Sequence, residues 1–116
     1  MPARRADLVA LRSQRIGFAR KADQTAALAV VVQNDDLCAV AAQVLLVPLV
    51  RVAGAQPAFP GWVVLDGEPD LGGRWIAATD ELRRASLEAV EPGVRGRLSD
   101  DAMRRIGAAL RWVFDL

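Results

Sequence analysis

The 116-residue chain predicts a mainly β fold closed by a C-terminal α-helix, a small and partly open β-barrel with the helix covering one side. Three observations carry that expectation. Two nearly continuous, β-branched apolar runs, residues 26–33 (AALAVVVQ) and 43–52 (QVLLVPLVRV), read as strands buried on both faces. The last stretch has the cap and the periodicity of an amphipathic helix. No internal repeat, low-complexity tract or Ser/Gly linker divides the chain, so residues 1–116 read as a single domain.

In chain order, residues 7–12 alternate around Leu8, Val9 and Leu11 as a first strand. A polar, basic connection over residues 13–25 follows, with Gly17 as its bend, and it is long enough to carry function. The two apolar runs form the centre of the sheet. Pro48 in the second cannot donate to a ladder, which places it at a bulge or at an unpaired edge position. Residues 54–61, with Pro57 and Pro60, read as a loop before a strand at 62–66 and a turn at Asp66 and Gly67. Residues 74–79 (RWIAAT) form a fifth strand. Residues 80–90 fit a short helical turn or a further strand, and periodicity leaves both open. Ser99 caps the final helix, Asp100 and Asp101 suit its positive end, and Met103, Ile106, Leu110, Val113 and Phe114 fall on one face.

Composition excludes several chemistries. The chain has no histidine and a single cysteine, Cys38, so a histidine triad, a Cys/His metal site and an intramolecular disulfide are all out. A net charge of +1 is far below what a protein holding duplex DNA through its phosphates carries, so any nucleic-acid contact is local. The charge is unevenly spread. Residues 1–24 hold Arg4, Arg5, Arg12, Arg15, Arg20 and Lys21 against Asp7 and Asp23, while residues 25–70 hold Arg51 against Asp35, Asp36, Asp66, Glu68 and Asp70. Arg4 and Arg5 are not followed by an apolar signal region, which predicts a cytoplasmic protein. The most apolar stretch, residues 39–50, is too short to span a membrane and is broken by Gln43 and Pro48.

Single residues are read conservatively. Cys38 lies in an apolar context with no histidine to activate it, and reads as a small buried side chain. Asp35 and Asp36 directly follow a strand and an Asn, and read as turn formers rather than as a metal site or a general base. Trp62, Trp75 and Trp112 read as bulk for the core, with stacking on bases as the alternative that an exposed one would favour. Arg104, Arg105 and Arg111 line the solvated side of the helix. Arg15, Arg20 and Lys21 have two readings. They hold phosphates and stabilise a pentavalent phosphoryl intermediate, or they belong to a solvated loop or a site for an acidic protein.

Five blocks occur in order: RRADLV at 4–9, AVVVQND at 29–35, QVLLVPLV at 43–50, TDELRRAS at 79–86 and GRLSDDAMRRIGAALRWVFDL at the end. This set resembles the MazF/PemK-like toxins of bacterial toxin–antitoxin modules and their relatives, the CcdB-like gyrase poisons. The resemblance implies an SH3-like β-barrel, a homodimer built partly on the C-terminal region, and a cognate antitoxin with an acidic, disordered tail. It also implies cleavage of single-stranded RNA through the RNA's own 2′-hydroxyl, with no metal or other cofactor, an arginine and a threonine being the essential side chains.

Here the sequence departs from the pattern. The family's Arg-Pro pair before the valine-rich strand corresponds to Ala27 and Leu28, and its threonine corresponds to Val50. The substitutes at hand for catalysis are Arg20, Thr25 and Arg51, with Arg51 needing a bulge at Pro48 to turn toward Val50's side. Arg15, Lys21 and Arg83, the last on the family's own arginine, are the candidate RNA contacts. The implied function is a toxin acting on RNA. Two alternatives stand beside it: a catalytically silent, antitoxin-binding homologue, and a gyrase binder, suggested by the likeness of residues 32–35 and 113–116 to the gyrase poisons.

Overall fold

The computed structural model describes residues 4–12, 27–52 and 59–115. Seven strands, β1 (Asp7–Leu11), β2 (Ala27–Val31), β3 (Gln43–Arg51), β4 (Val63–Asp66), β5 (Arg74–Ala77), β6 (Arg83–Ser86) and β7 (Gly96–Arg97), form one antiparallel sheet. Its order is β4-β5-β3-β2-β1-β7, with β6 also on β3, and it curls into a half-barrel. The one-turn helix α1 (Asp35–Cys38) follows β2, and the long helix α2 (Asp100–Phe114) closes the chain. Among the described residues, no helix is long and apolar enough to cross a membrane.

The two apolar runs are the central strands, and both of their faces are covered. Leu28, Val30, Val47 and Leu49 pack with Leu8, Leu65, Met103 and Ile106 under α2, while Ala29, Val31, Val44 and Leu46 pack with Val9, Leu11 and Ala85 on the other side. Side chains alternate along a strand, so a strand buried on both faces has no polar positions left to alternate with.

Nine residues of β3 are enough to pair with two strands along one edge. Gln43 to Leu46 pair with β6, and Leu49 to Arg51 pair with β5. Between β5 and β6 the chain makes a 3₁₀ turn at Thr79–Glu81, and a second one, Leu87–Ala89, follows β6. Both readings of residues 80–90 are therefore realised in turn. Pro48 faces the junction. The Ala78 N–H donates to its carbonyl (2.9 Å), and the missing Pro N–H points at the break between two strands rather than into a continuous ladder. On its other edge Pro48 sits opposite Ala29 in an unbroken register, so there is no bulge and the position is central.

Helix α2 starts as its sequence dictates. Ser99 Oγ accepts from the Ala102 N–H (3.1 Å), and Glu68 accepts from both the Ser99 amide (2.8 Å) and its hydroxyl (2.9 Å). Ala102, Met103 and Ile106 are buried, whereas Phe114 at the far end is exposed.

Of the three tryptophans, only Trp75 packs against the core as expected. Trp112 is 64% exposed, Trp62 donates its indole N–H to Asp80 (2.8 Å), and Trp75 is half-buried. Aliphatic side chains close the small interior, and the broad indoles fit only at its margins. Cys38 is buried, as read, against the Gln33 carbonyl. Asp35 and Asp36 open α1 instead of a plain turn, with the Asn34 side chain accepting from the Asp36 N–H (2.8 Å). The two-residue strand β7 was not legible in the sequence.

Candidate functional site

The β1–β2 and β3–β4 connections leave the sheet at one end, where β1 finishes at Leu11, β2 starts at Ala27, β3 finishes at Arg51 and β5 starts at Arg74. Register decides what faces what there. Leu11 pairs with Ala27, and Leu28 pairs with Leu49, so one further step sets Ala27 opposite Val50. The two positions where an arginine and a threonine are expected are thus direct cross-strand neighbours on one face. Neither alanine nor valine offers a charge or a hydroxyl. Val50 is 47% exposed, a high value for a valine in a central strand, and pairs on its other side with Ile76.

Arg51 lies on the opposite face. With no bulge at Pro48, the alternation from Val50 to Arg51 is preserved, and the turn toward Val50's side does not occur. Arg51 is instead the register partner of Trp75, and its guanidinium stands 5.8 Å from the centre of the indole ring. Trp75 is locked by its own N–H, which donates to the Gly72 carbonyl (2.8 Å). Gly73, at φ +83°, runs close alongside. A Cβ there would come within 3.3 Å of Arg51 Nη2, and the positive φ already disfavours any other residue.

Arg74 is the residue that sequence reasoning passed over. It precedes Ile76 by two along β5 and so shares the face of Val50, as its diagonal neighbour at about 7–8 Å. Its only sequence signal was a charge opening an apolar strand. Arg12 follows β1 at the same end, donating its Nε–H to the Glu88 carbonyl (3.0 Å). Among the described residues, Arg12, Arg51 and Arg74 form no ion pair, and the nearest acid in the ladder is Asp66, the partner of Arg74. Among the described residues, this sheet end is therefore a cationic rim, with Arg74 on Val50's face and Arg51 on the other.

Arg83 is half-buried in β6 opposite Leu46. Leu46 and Val50 share a face but stand four residues apart, roughly 13 Å, so Arg83 is on the right face and toward the other end of it. Arg15, Arg20, Lys21 and Thr25 lie outside the described residues. Of the six site residues expected from sequence, the structure thus places Arg51 and Arg83, on opposite faces.

No family model matches the sequence, and no curated protein matches it. Solved structures do. A mycobacterial endoribonuclease in complex with its cognate antitoxin superposes with a TM-score of 0.76 at 18% identity, over 98% of this chain and 96% of that one. A second mycobacterial endoribonuclease gives 0.76 at 17% identity, over 100% and 94%. MazF from Deinococcus radiodurans gives 0.76 at 15% identity, over 100% and 99%. The chain has the MazF-type fold over its whole length.

Proposed function

We propose that this protein is the toxin component of a bacterial toxin–antitoxin module, working in the cytoplasm on single-stranded RNA in the manner of a MazF-type endoribonuclease. The observation that carries the reading is the sheet end itself. Two observations support it: the register brings the expected arginine and threonine positions to adjacent strands, and Arg12, Arg51 and Arg74 lie at the same end of the sheet. Single-stranded RNA needs little more from a protein than local cations and surfaces for its bases, which suits a chain of net charge +1.

In this reading Arg51, held over the Trp75 ring, and Arg74 bind backbone phosphates. Arg20 and Thr25 are the remaining candidates for charge stabilisation and proton transfer, with Arg15, Lys21 and Arg83 contacting the RNA. The cognate antitoxin covers the cationic rim with an acidic segment. A second copy of the chain covers exposed apolar groups such as Leu37 and Val40, giving a homodimer.

One observation favours a second reading, the catalytically silent homologue. Among the described residues, the Ala27 and Val50 positions carry no charge or hydroxyl, and no bulge redirects Arg51. Losing a positioned charge-stabilising group costs about 10²–10³ in rate. Induced expression without a partner, with total RNA mapped for new 5′ ends, tests both. Growth arrest with discrete new ends supports the ribonuclease. Normal growth with intact RNA, from folded protein, overturns it in favour of the silent form.

A further inference from the structure

Away from that sheet end, two guanidinium groups converge over a glycine in the middle of α2. A Cβ on residue 107 would lie 3.8 Å from Arg111 Nη1 and 3.9 Å from Arg5 Nη2, with no other atom of the described residues within 4 Å apart from residue 107's own neighbours and helix backbone. The two side chains come from opposite ends of the sequence. Arg5 is tightly placed: its Nη1 donates to the Val32 carbonyl, its carbonyl accepts from Arg97 Nη2 (3.0 Å), and its N–H donates to Asp35 Oδ1 (2.6 Å). The Asp35 carboxylate is thus engaged by the main chain. Arg111 is exposed on the last turns of the helix and, among the described residues, has no ion-pair partner, and neither does the Arg5 guanidinium.

Two like charges that border one point, with no ion-pair partner among the described residues, repel, and a bound anion relieves that repulsion. Gly107 has no packing reason to be glycine. Its φ is not positive, and a methyl group there would make only ordinary contacts, so alanine, the best helix former, would fit. A residue that weakens its own helix without easing a contact marks a position kept open for something else.

We propose that Arg5, Arg111 and the floor left by Gly107 form a seat for a tetrahedral phosphate-type oxyanion, either free or as a phosphodiester of a nucleic-acid backbone. The choice of phosphate over carboxylate follows from geometry. Arg5 Nη1 is engaged by the Val32 carbonyl, and the nitrogens nearest Gly107, Arg5 Nη2 and Arg111 Nη1, belong to two separate side chains. A tetrahedral anion presents oxygens in several directions to meet donors from two side chains, whereas the two oxygens of a carboxylate lie in one plane. The site lies apart from the Ala27 and Val50 end and does not depend on cleavage there.

The test uses the full chain, isotopically labelled, titrated with inorganic phosphate while the Gly107 amide resonance is followed, with chloride at matched ionic strength as the blank. A saturable shift is expected, weakened at least about tenfold in Arg111→Gln. Gly107→Ala is expected to move the unfolding equilibrium about fivefold toward the native state while weakening phosphate. That pairing separates loss of the seat from loss of the fold. No saturable shift beyond chloride, or wild-type affinity in Arg111→Gln, overturns the proposal, and acetate binding as tightly as phosphate overturns the tetrahedral assignment. A short single-stranded oligoribonucleotide that displaces phosphate from the Gly107 signal identifies the backbone phosphodiester as the source. Phosphate binding without that displacement supports a free anion, and it stands even if the RNA reading fails.

Discussion

The Arg51 guanidinium lies over the ring of Trp75, its direct partner across β3 and β5, on the face of the sheet away from Val50. The arrangement makes Arg51 a preorganised binding group. Arg51→Ala is expected to weaken binding of a single-stranded oligoribonucleotide and to lower the slope of log affinity against log salt by about 0.7, the loss of one phosphate contact. Arg51→Lys is expected to keep the slope and lose part of the affinity, because an ammonium does not stack on an indole as a guanidinium does. If cleavage is seen, the effect of either change falls on KM more than on kcat.

The facing pair Ala27 and Val50 predicts a gain of function. The double variant Ala27→Arg, Val50→Thr restores the two expected side chains on adjacent strands, and it is expected to raise RNA cleavage by about 10² or more over the parent chain. Either single change is expected to do much less, since groups acting as a unit are strongly non-additive. Quantitative primer extension on a defined transcript reads the result.

Gly61 touches the last turn of α2 so closely that a Cβ there would sit 2.4 Å from Val113 Cγ2, with Phe59 at 3.1 Å and Thr79 Oγ1 at 3.3 Å. Gly61→Ala is expected to cost about 1–3 kcal/mol through overpacking. Adding Val113→Ala is expected to recover part of it, a coupling that urea denaturation of the double-mutant cycle measures.

Ser99→Ala removes the Ala102 cap and leaves Glu68 with one partner, the Ser99 amide. A loss of about 1 kcal/mol is expected, against about 2–5 kcal/mol for Ile106→Ala, which empties a fully buried position beneath α2. Chemical denaturation checks both, and the order of the two losses is the sharper test.

What the chain determines by itself is local. The apolar runs of β2 and β3, the Ser99 cap and the spacing of Met103 and Ile106 each follow from periodicity and capping chemistry, which depend on residues a few positions apart. The burial of Cys38 was legible for the same reason. Tertiary structure decided the rest, because register, face and exposure depend on partners far away in sequence. No local signal says that Pro48 meets the gap between β5 and β6, and so needs no bulge, or that Arg51 therefore turns from Val50 to Trp75. Arg74 became a neighbour of Val50 only through the β3–β5 pairing, and Trp112 became a surface residue because aliphatic side chains had already filled the interior. A single-residue change of register exchanges the two faces of a strand. The identity of this candidate site was therefore written in the pairing of strands, not in any one of them.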